Sequence, residues 1–273
     1  MTVWAVANQK GGVGKTTTAV SLAGLLAAEG RRTLLVDLDP HGSLTSYFGL
    51  DPDDLAASVY SLFKARAERG ACAHYRALLH PTGFENLTLL PASTALATLD
   101  RQLGVRDGMG LVLAQTLVEL RPHYDHVLID CPPMLGVLMV NALAACEHLL
   151  IPVQCEFLAL KGLERMLHTL KMIARARGDE VSRLIVPTMY DRRTRASGDA
   201  LAVLRERYGE GVWSGVIPVD TQFREASRAG RPPSLWQPRA RGVLAYGDLL
   251  DSLLGRPPRV TEHTAHLSAG VHA

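Results

Sequence analysis

The sequence predicts an α/β fold, one mostly parallel twisted sheet flanked by helices on both faces, and three observations predict it. Short apolar runs bounded by turn residues alternate along the chain with helical patterns. Those runs are apolar throughout instead of every second residue, as strands covered on both faces must be. The composition, 47% hydrophobic and 21% charged over 273 residues, supplies one large core without a second, differently composed segment.

The elements follow in order. VWAVAN (3–8) is a strand that runs into the glycine-rich stretch NQKGGVGKTT (8–17). Residues 15–29, with Val20, Leu22, Ala23, Leu25 and Leu26, make an apolar helix. TLLVDL (33–38) is the second strand, and residues 51–83 read as a helical excursion outside the alternation. LTLLP (87–91), HVLID (126–130), HLLIPV (148–153), LIVPTM (184–189) and VWSGVIP (212–218) are further strands. Helical spacing marks 110–121, 160–176 and 242–254. The domain is expected to span 1–255, with 256–273 a loose tail. Sheets of this kind bind ligands at the carboxyl ends of their strands.

Several function classes fit poorly. A net charge of +2 argues for neither nucleic acid nor membrane from the total, so any basic surface must be local. Cys72, Cys131, Cys146 and Cys155 lie far apart with no C-x-x-C pair, which suggests neither a zinc site nor a secreted disulfide framework. No apolar run approaches the ~18 residues of a membrane span. The opening run lacks a basic leader and reads as a strand, so a cytoplasmic protein is expected.

The chemistry begins at the glycines. A strand ending at Asn8, then glycines, then a helix from Lys15 is the context of a phosphate-binding loop, so the fold is a single-domain P-loop NTPase. Gly11, Gly12, Val13 and Gly14 would turn backbone N–H groups toward an anion, with Thr17 in the first helical turn beside them. Lys15 would touch the β- and γ-phosphates and Thr16 would ligate Mg²⁺. Oxygen ligands for that ion are expected at neighbouring strand ends: Asp130 after HVLID, and Asp39 after TLLVDL, where it would also orient the attacking water. Asp37 is either a further acid or a helix cap. The general pattern wants glycine where this chain has Gln9, and an additional cation, Lys10, sits next to it.

KGGVGKTT, VDLDPHGSLT, LIDCPP, PVQCEFLALKGL and TMYDRRT together resemble the ParA/Soj branch of the deviant Walker A ATPases, relatives of MinD, from about residue 2 to about 254. The resemblance implies an ATPase that uses ATP and Mg²⁺ and forms a homodimer with ATP. It implies that Lys10 reaches across the interface to the partner's phosphates, that Asp39 is needed for hydrolysis, and that Asp130 is the Walker B acid. It further implies weak hydrolysis until an activating partner, ParB-type or a chemotaxis adaptor, binds. An adenine pocket after the late strands makes Met189 and Pro218 its candidates. Non-specific DNA binding would fall to Arg192, Arg193, Arg195, Arg224 and Arg228, with Arg231, Arg239 and Arg241 nearby; ordinary ion-paired surface arginines are the competing reading.

This chain has His41-Gly42-Ser43 where the family often has Gln-Gly-Asn, and Val219-Asp220 where many members have Arg-Asn. His41 is expected to face solvent. The second departure, with SYFG, VDTQFREASRAG and ARGVLAY, resembles the ParA-type proteins of chemotaxis gene clusters. Nucleoid-associated or polar localisation is expected, without integral membrane contact. A biosynthetic ATP-dependent enzyme on the same fold, dethiobiotin synthetase-like, and a MinD-like regulator remain open.

Overall fold

The computed structural model describes residues 1–69, 75–103, 108–177 and 180–257. Its elements in chain order are β1 (Thr2–Val6), α1 (Lys15–Ala28), β2 (Thr33–Asp37), α2 (Ser43–Tyr47), α3 (Val59–Arg69), β3 (His80–Pro81), β4 (Leu87–Leu90), α4 (Leu96–Leu103), α5 (Val112–Leu120), β5 (His126–Asp130), α6 (Val137–Ala145), β6 (His148–Gln154), α7 (Phe157–Arg177), β7 (Ser182–Thr188), α8 (Arg195–Tyr208), α9 (Gln222–Arg228), α10 (Pro233–Trp236) and α11 (Arg241–Leu253). The strands form one 7-stranded sheet in the order β3-β4-β2-β5-β1-β6-β7. All pairings are parallel except the short antiparallel β3–β4 edge.

Alternation along each strand sorts side chains onto two faces. Val3, Ala5, Leu34, Val36, Val127 and Ile129 pack under α3 to α7, while Trp4, Val6, Leu35, Leu128 and Leu150 pack against α1 and α11. Both faces are therefore dry, which is why the strands read as unbroken apolar runs. β1 lies between β5 and β6. Its register pairs Val6 with Asp130, and that of β2 pairs Asp37 with Asp130, so the β1, β2 and β5 carboxyl ends share one edge. This is the switch point at which such sheets hold ligands.

α1 is apolar nearly all round because it is covered on more than its sheet side. At Gly24 an added Cβ would lie 2.5 Å from Pro232 Cβ and 2.8 Å from Ser234 Oγ, so the close approach of the α10 segment requires glycine there. The helix ends in a Schellman motif: Gly30, at φ 77°, donates to Ala27 O and Arg31 donates to Leu26 O, each at 3.0 Å.

Three expectations are corrected. VWSGVIP is not a continuous strand: it meets the β7 line through isolated bridges, Ile185 to Val212 and, beyond the strand end, Tyr190 to Pro218, and through the bond from Ile217 N to Pro187 O at 2.8 Å. Ser214 and Gly215 turn the chain away between them, Gly215 packing so closely on the Trp213 ring that a Cβ would sit 2.5 Å from it, and Pro218 has no N–H to extend a ladder. Residues 51–83 are not an excursion: Val59, Leu62 and Phe63 of α3 are buried in the main core, and His80–Pro81 pair with β4. The tail does not begin at 256, because Arg256 is bound to Glu29 at 2.9 and 3.0 Å and to Asp251 at 3.5 Å; residues 258–273 lie outside the described residues, as does Cys72. No helix among the described residues is long and apolar enough to cross a membrane.

Candidate functional site

The glycine loop leaves β1 through Asn8, whose buried amide donates to Pro152 O at 2.7 Å and accepts from Lys10 N at 2.9 Å. Its far side is tied to β7, where Thr188 Oγ1 donates to Val13 O at 2.9 Å. Gly12 and Gly14 have φ of 73° and 91°, a conformation that strains ordinary side chains, and a Cβ at Gly11, Gly12 or Gly14 would meet nothing within 4 Å. The loop is thus an open cradle. Behind it α1 starts at Lys15, with Gly14 at the cap position, without a side-chain cap and without an acid in its first turn. Its first N–H groups are left for an anion.

The side chains around the cradle suit a phosphate with a cation. Lys15 is buried, and among the described residues it forms no ion pair. Thr16 Oγ1 donates to Asp130 Oδ2 at 2.6 Å, while Asp130 Oδ1 is buried without a partner among the described residues. Burial first, and then the charge of Asp37, holds the Asp130 carboxyl well above the usual range, against the Thr16 bond and Lys15. A hydrated divalent ion would satisfy the orphaned oxygen and restore the ionised form, so the donor set of Thr16 and Asp130 fits Mg²⁺.

The second strand contributes two acids with different duties. Asp37, fully buried, accepts from Thr45 N at 2.8 Å, Thr45 Oγ1 at 2.7 Å and Asp39 N at 3.1 Å. It therefore fastens α2 to the strand, the capping reading, and burial raises its pKa. Asp39, just past the strand end, is bonded to neither Thr16 nor Asp130; its Oδ1 instead accepts from His41 N at 3.0 Å and lies 2.9 Å from His41 Nδ1. His41 is exposed as expected, yet sequence reasoning missed its bond to Asp39. An acid two residues before a histidine in a tight turn is the only signal that would have suggested it.

Lys10 points along its own chain: Nζ pairs with Glu156 and lies 3.5 Å from Gln154 Oε1. Glu156 was not foreseen. Next to the loop is a cleft of about 730 Å³ lined by Gly14, Thr17, Met189, Pro218 and Tyr246, within the size range of small-molecule pockets. Met189 and Pro218 share this cleft, Met189 in a left-handed conformation at φ 53°.

Arg224 and Arg228 line this same cleft on α9, a position their assignment to DNA alone did not anticipate. Arg192, Arg193 and Arg241 border a second cleft of about 420 Å³. The basic cluster is also less uniform than its sequence. Arg193 forks onto Asp191 at 2.9 and 2.7 Å, pulling that carboxyl down to about 2, and Arg195 faces Asp199 at 3.5 Å. Asp220 accepts from Gln222 N at 3.0 Å and Gly242 N at 2.9 Å, joining α9 to α11, so the acid that stands where many members have Asn has a structural use. Cys131 is fully buried and burial pushes its thiol up.

A family model described as an AAA domain matches residues 1–182. The sporulation initiation inhibitor protein Soj of Bacillus subtilis is 37% identical over 246 residues, which is 90% of this chain and 95% of Soj. The chromosome partitioning protein ParA of Caulobacter vibrioides is 37% identical over 260 residues, 93% of this chain and 94% of ParA. The chain belongs to the ParA/Soj family of ATPases. Within that family's range of likeness is also a solved enzyme: cobyrinic acid a,c-diamide synthase from Mycobacterium smegmatis, with bound ATP analog and magnesium, superposes with a TM-score of 0.78 at 38% identity, covering 93% of this chain and 94% of that one. As a ParA/Soj member the chain has its glycine loop, Thr16, Asp39 and Asp130 gathered at the one sheet edge where the fold places ligands.

Proposed function

We propose that this chain is a ParA-type ATPase that binds ATP with Mg²⁺ and works as a nucleotide-dependent dimerisation switch, positioning or segregating a cargo inside the cell. The observation that carries this reading is the bond between Thr16 and Asp130 at the foot of an uncapped helix, beside the buried Lys15. The loop N–H groups and Lys15 hold the phosphates. Thr16 and Asp130 hold the ion, which when bound offsets phosphate charge. Asp39 orients the water that attacks the γ-phosphate, and Met189 and Pro218 flank the base. Lys10, released from Glu156, contributes its charge to the partner's nucleotide in a dry interface, where it counts for more than in water. Hydrolysis then weakens the interface.

The finer parts of the reading follow from charge. Arg192, Arg224 and Arg228 are exposed and form no ion pair among the described residues, which supports salt-sensitive, sequence-independent DNA binding. An activator of ParB type or a chemotaxis adaptor would release the dimer, and the protein would sit on the nucleoid or at a pole.

Size exclusion with light scattering, with Mg²⁺ and a non-hydrolysable ATP analogue, tests the switch: a dimer is expected with the analogue and a monomer with ADP. A monomer under both conditions would overturn it. The likeness to the cobyrinic acid enzyme favours a second reading, an ATP-dependent amidation of a small acid. Turnover raised by cobyrinic acid and an ammonia donor, but not by DNA or adaptor, would establish that one.

A further inference from the structure

Asp39 sits in a turn whose backbone is fixed from both sides. Pro40 limits one dihedral, and Gly42 stands at φ 61° where an added Cβ would clash with the Pro52 ring. Gly42 N also donates to Asp39 O at 2.8 Å. The turn therefore presents residue 41 at one place beside the Asp39 carboxylate. There both the backbone N–H of His41, at 3.0 Å, and its ring Nδ1, at 2.9 Å, address the same oxygen, Oδ1.

We propose that His41 is a positioning residue for Asp39: carrying its proton on Nδ1, it joins the backbone donor in saturating Oδ1, so that Oδ2 is the oxygen offered to the water. This rests on the water-orienting role proposed for Asp39. A carboxylate can rotate about its last bond and exchange its oxygens; one backbone donor restrains that rotation, and a second donor on the same oxygen at a different angle restrains it further. Because the imidazole is 80% exposed whereas the Asp39 side chain is only 13% exposed, the ring adds nothing to the core. Among the described residues its ring bonds to Asp39 alone. That bond serves the acid and not the fold.

The decisive comparison is His41→Phe, which keeps the ring and loses the donor, against His41→Asn, whose Nδ2–H stands at the position of the ring Nδ1–H. In full-length protein with ATP and Mg²⁺, His41→Phe should lose about tenfold in kcat with KM unchanged, and His41→Asn should restore most of it. A second measurement needs no turnover. Long-range ¹⁵N–¹H correlation of the nucleotide-free protein, well above the ordinary imidazole range of pH, should show His41 protonated at Nδ1, and Asp39→Ala should return it to the Nε2–H form. Wild-type kcat in His41→Phe, or an Nε2–H tautomer in the wild type, overturns the proposal. If the wild type hydrolyses no ATP, the functional reading fails by itself while the tautomer still decides whether His41 holds Asp39.

Discussion

The ammonium of Lys10 is paired with the carboxylate of Glu156 on its own chain, at the junction of β6 and α7. Both side chains are partly exposed, 30% and 40%, so the pair is screened and contributes no more than about 1 kcal/mol. A triphosphate carried by a second subunit would compete for the same cation with far more charge. Glu156→Gln is therefore expected to raise ATP-dependent dimer formation by up to about fivefold per protomer. Lys10→Ala should abolish it with ATP affinity nearly intact. Light scattering across a concentration series, with a fluorescent ATP analogue for affinity, reads both.

Asp39→Ala should leave ATP binding unchanged and lower the hydrolysis rate about a hundredfold or more, because only the water's orientation and proton acceptance are removed. A persistent ATP dimer on size exclusion, with phosphate release near background, is the expected result.

Asp37 and Asp130 are buried side by side and their pKa values are raised in the folded protein, to about 7 and about 8, so the folded state binds more protons than the unfolded one between about pH 4 and those values. Their contribution is full below the unfolded value and is lost as pH rises through the folded values. Without Mg²⁺ and nucleotide, Tm should thus fall from mildly acidic to mildly alkaline pH. Asp130→Asn should flatten that slope, and Mg²⁺ with ATP analogue should do the same in the wild type. Thermal scans across pH check it.

Gly24→Ala should destabilise the protein by about 1–3 kcal/mol, since the new methyl enters space held by Pro232 and Ser234. A lower urea midpoint at unchanged m identifies it. The expected sign is opposite to that of an exposed helical glycine, where alanine stabilises.

Arg224→Glu with Arg228→Glu should weaken DNA retention and reduce the salt slope by about one for each phosphate no longer neutralised. Arg193→Glu should have the smaller effect, because Asp191 already neutralises that guanidinium. Filter binding over a salt series separates the two.

The sheet and the phosphate cradle were legible because each rests on local signals: unbroken apolar strands, the glycine spacing, and acids at strand ends. Asp130 beside Thr16 follows from the parallel register once those strands are placed. Less legible were α6, apolar on every side and so without a helical stripe, and α8, whose polar sequence read only as surface charge. The course of residues 212–218 depends on Trp213 folding onto Gly215, which no period announces. Pairings within a chain were hidden for the same reason. Glu156 meets Lys10 across 146 residues, and Asp191 cancels Arg193 by a choice of rotamer, so neither appears in a pattern of residue types.

The two tethers of the glycine loop, Asn8 to β6 and Thr188 of β7 to Val13, make it part of the rigid frame. A loop held at both ends is set before any anion arrives, so what an occupant could alter lies in the side chains around it, among them the Lys10–Glu156 pair.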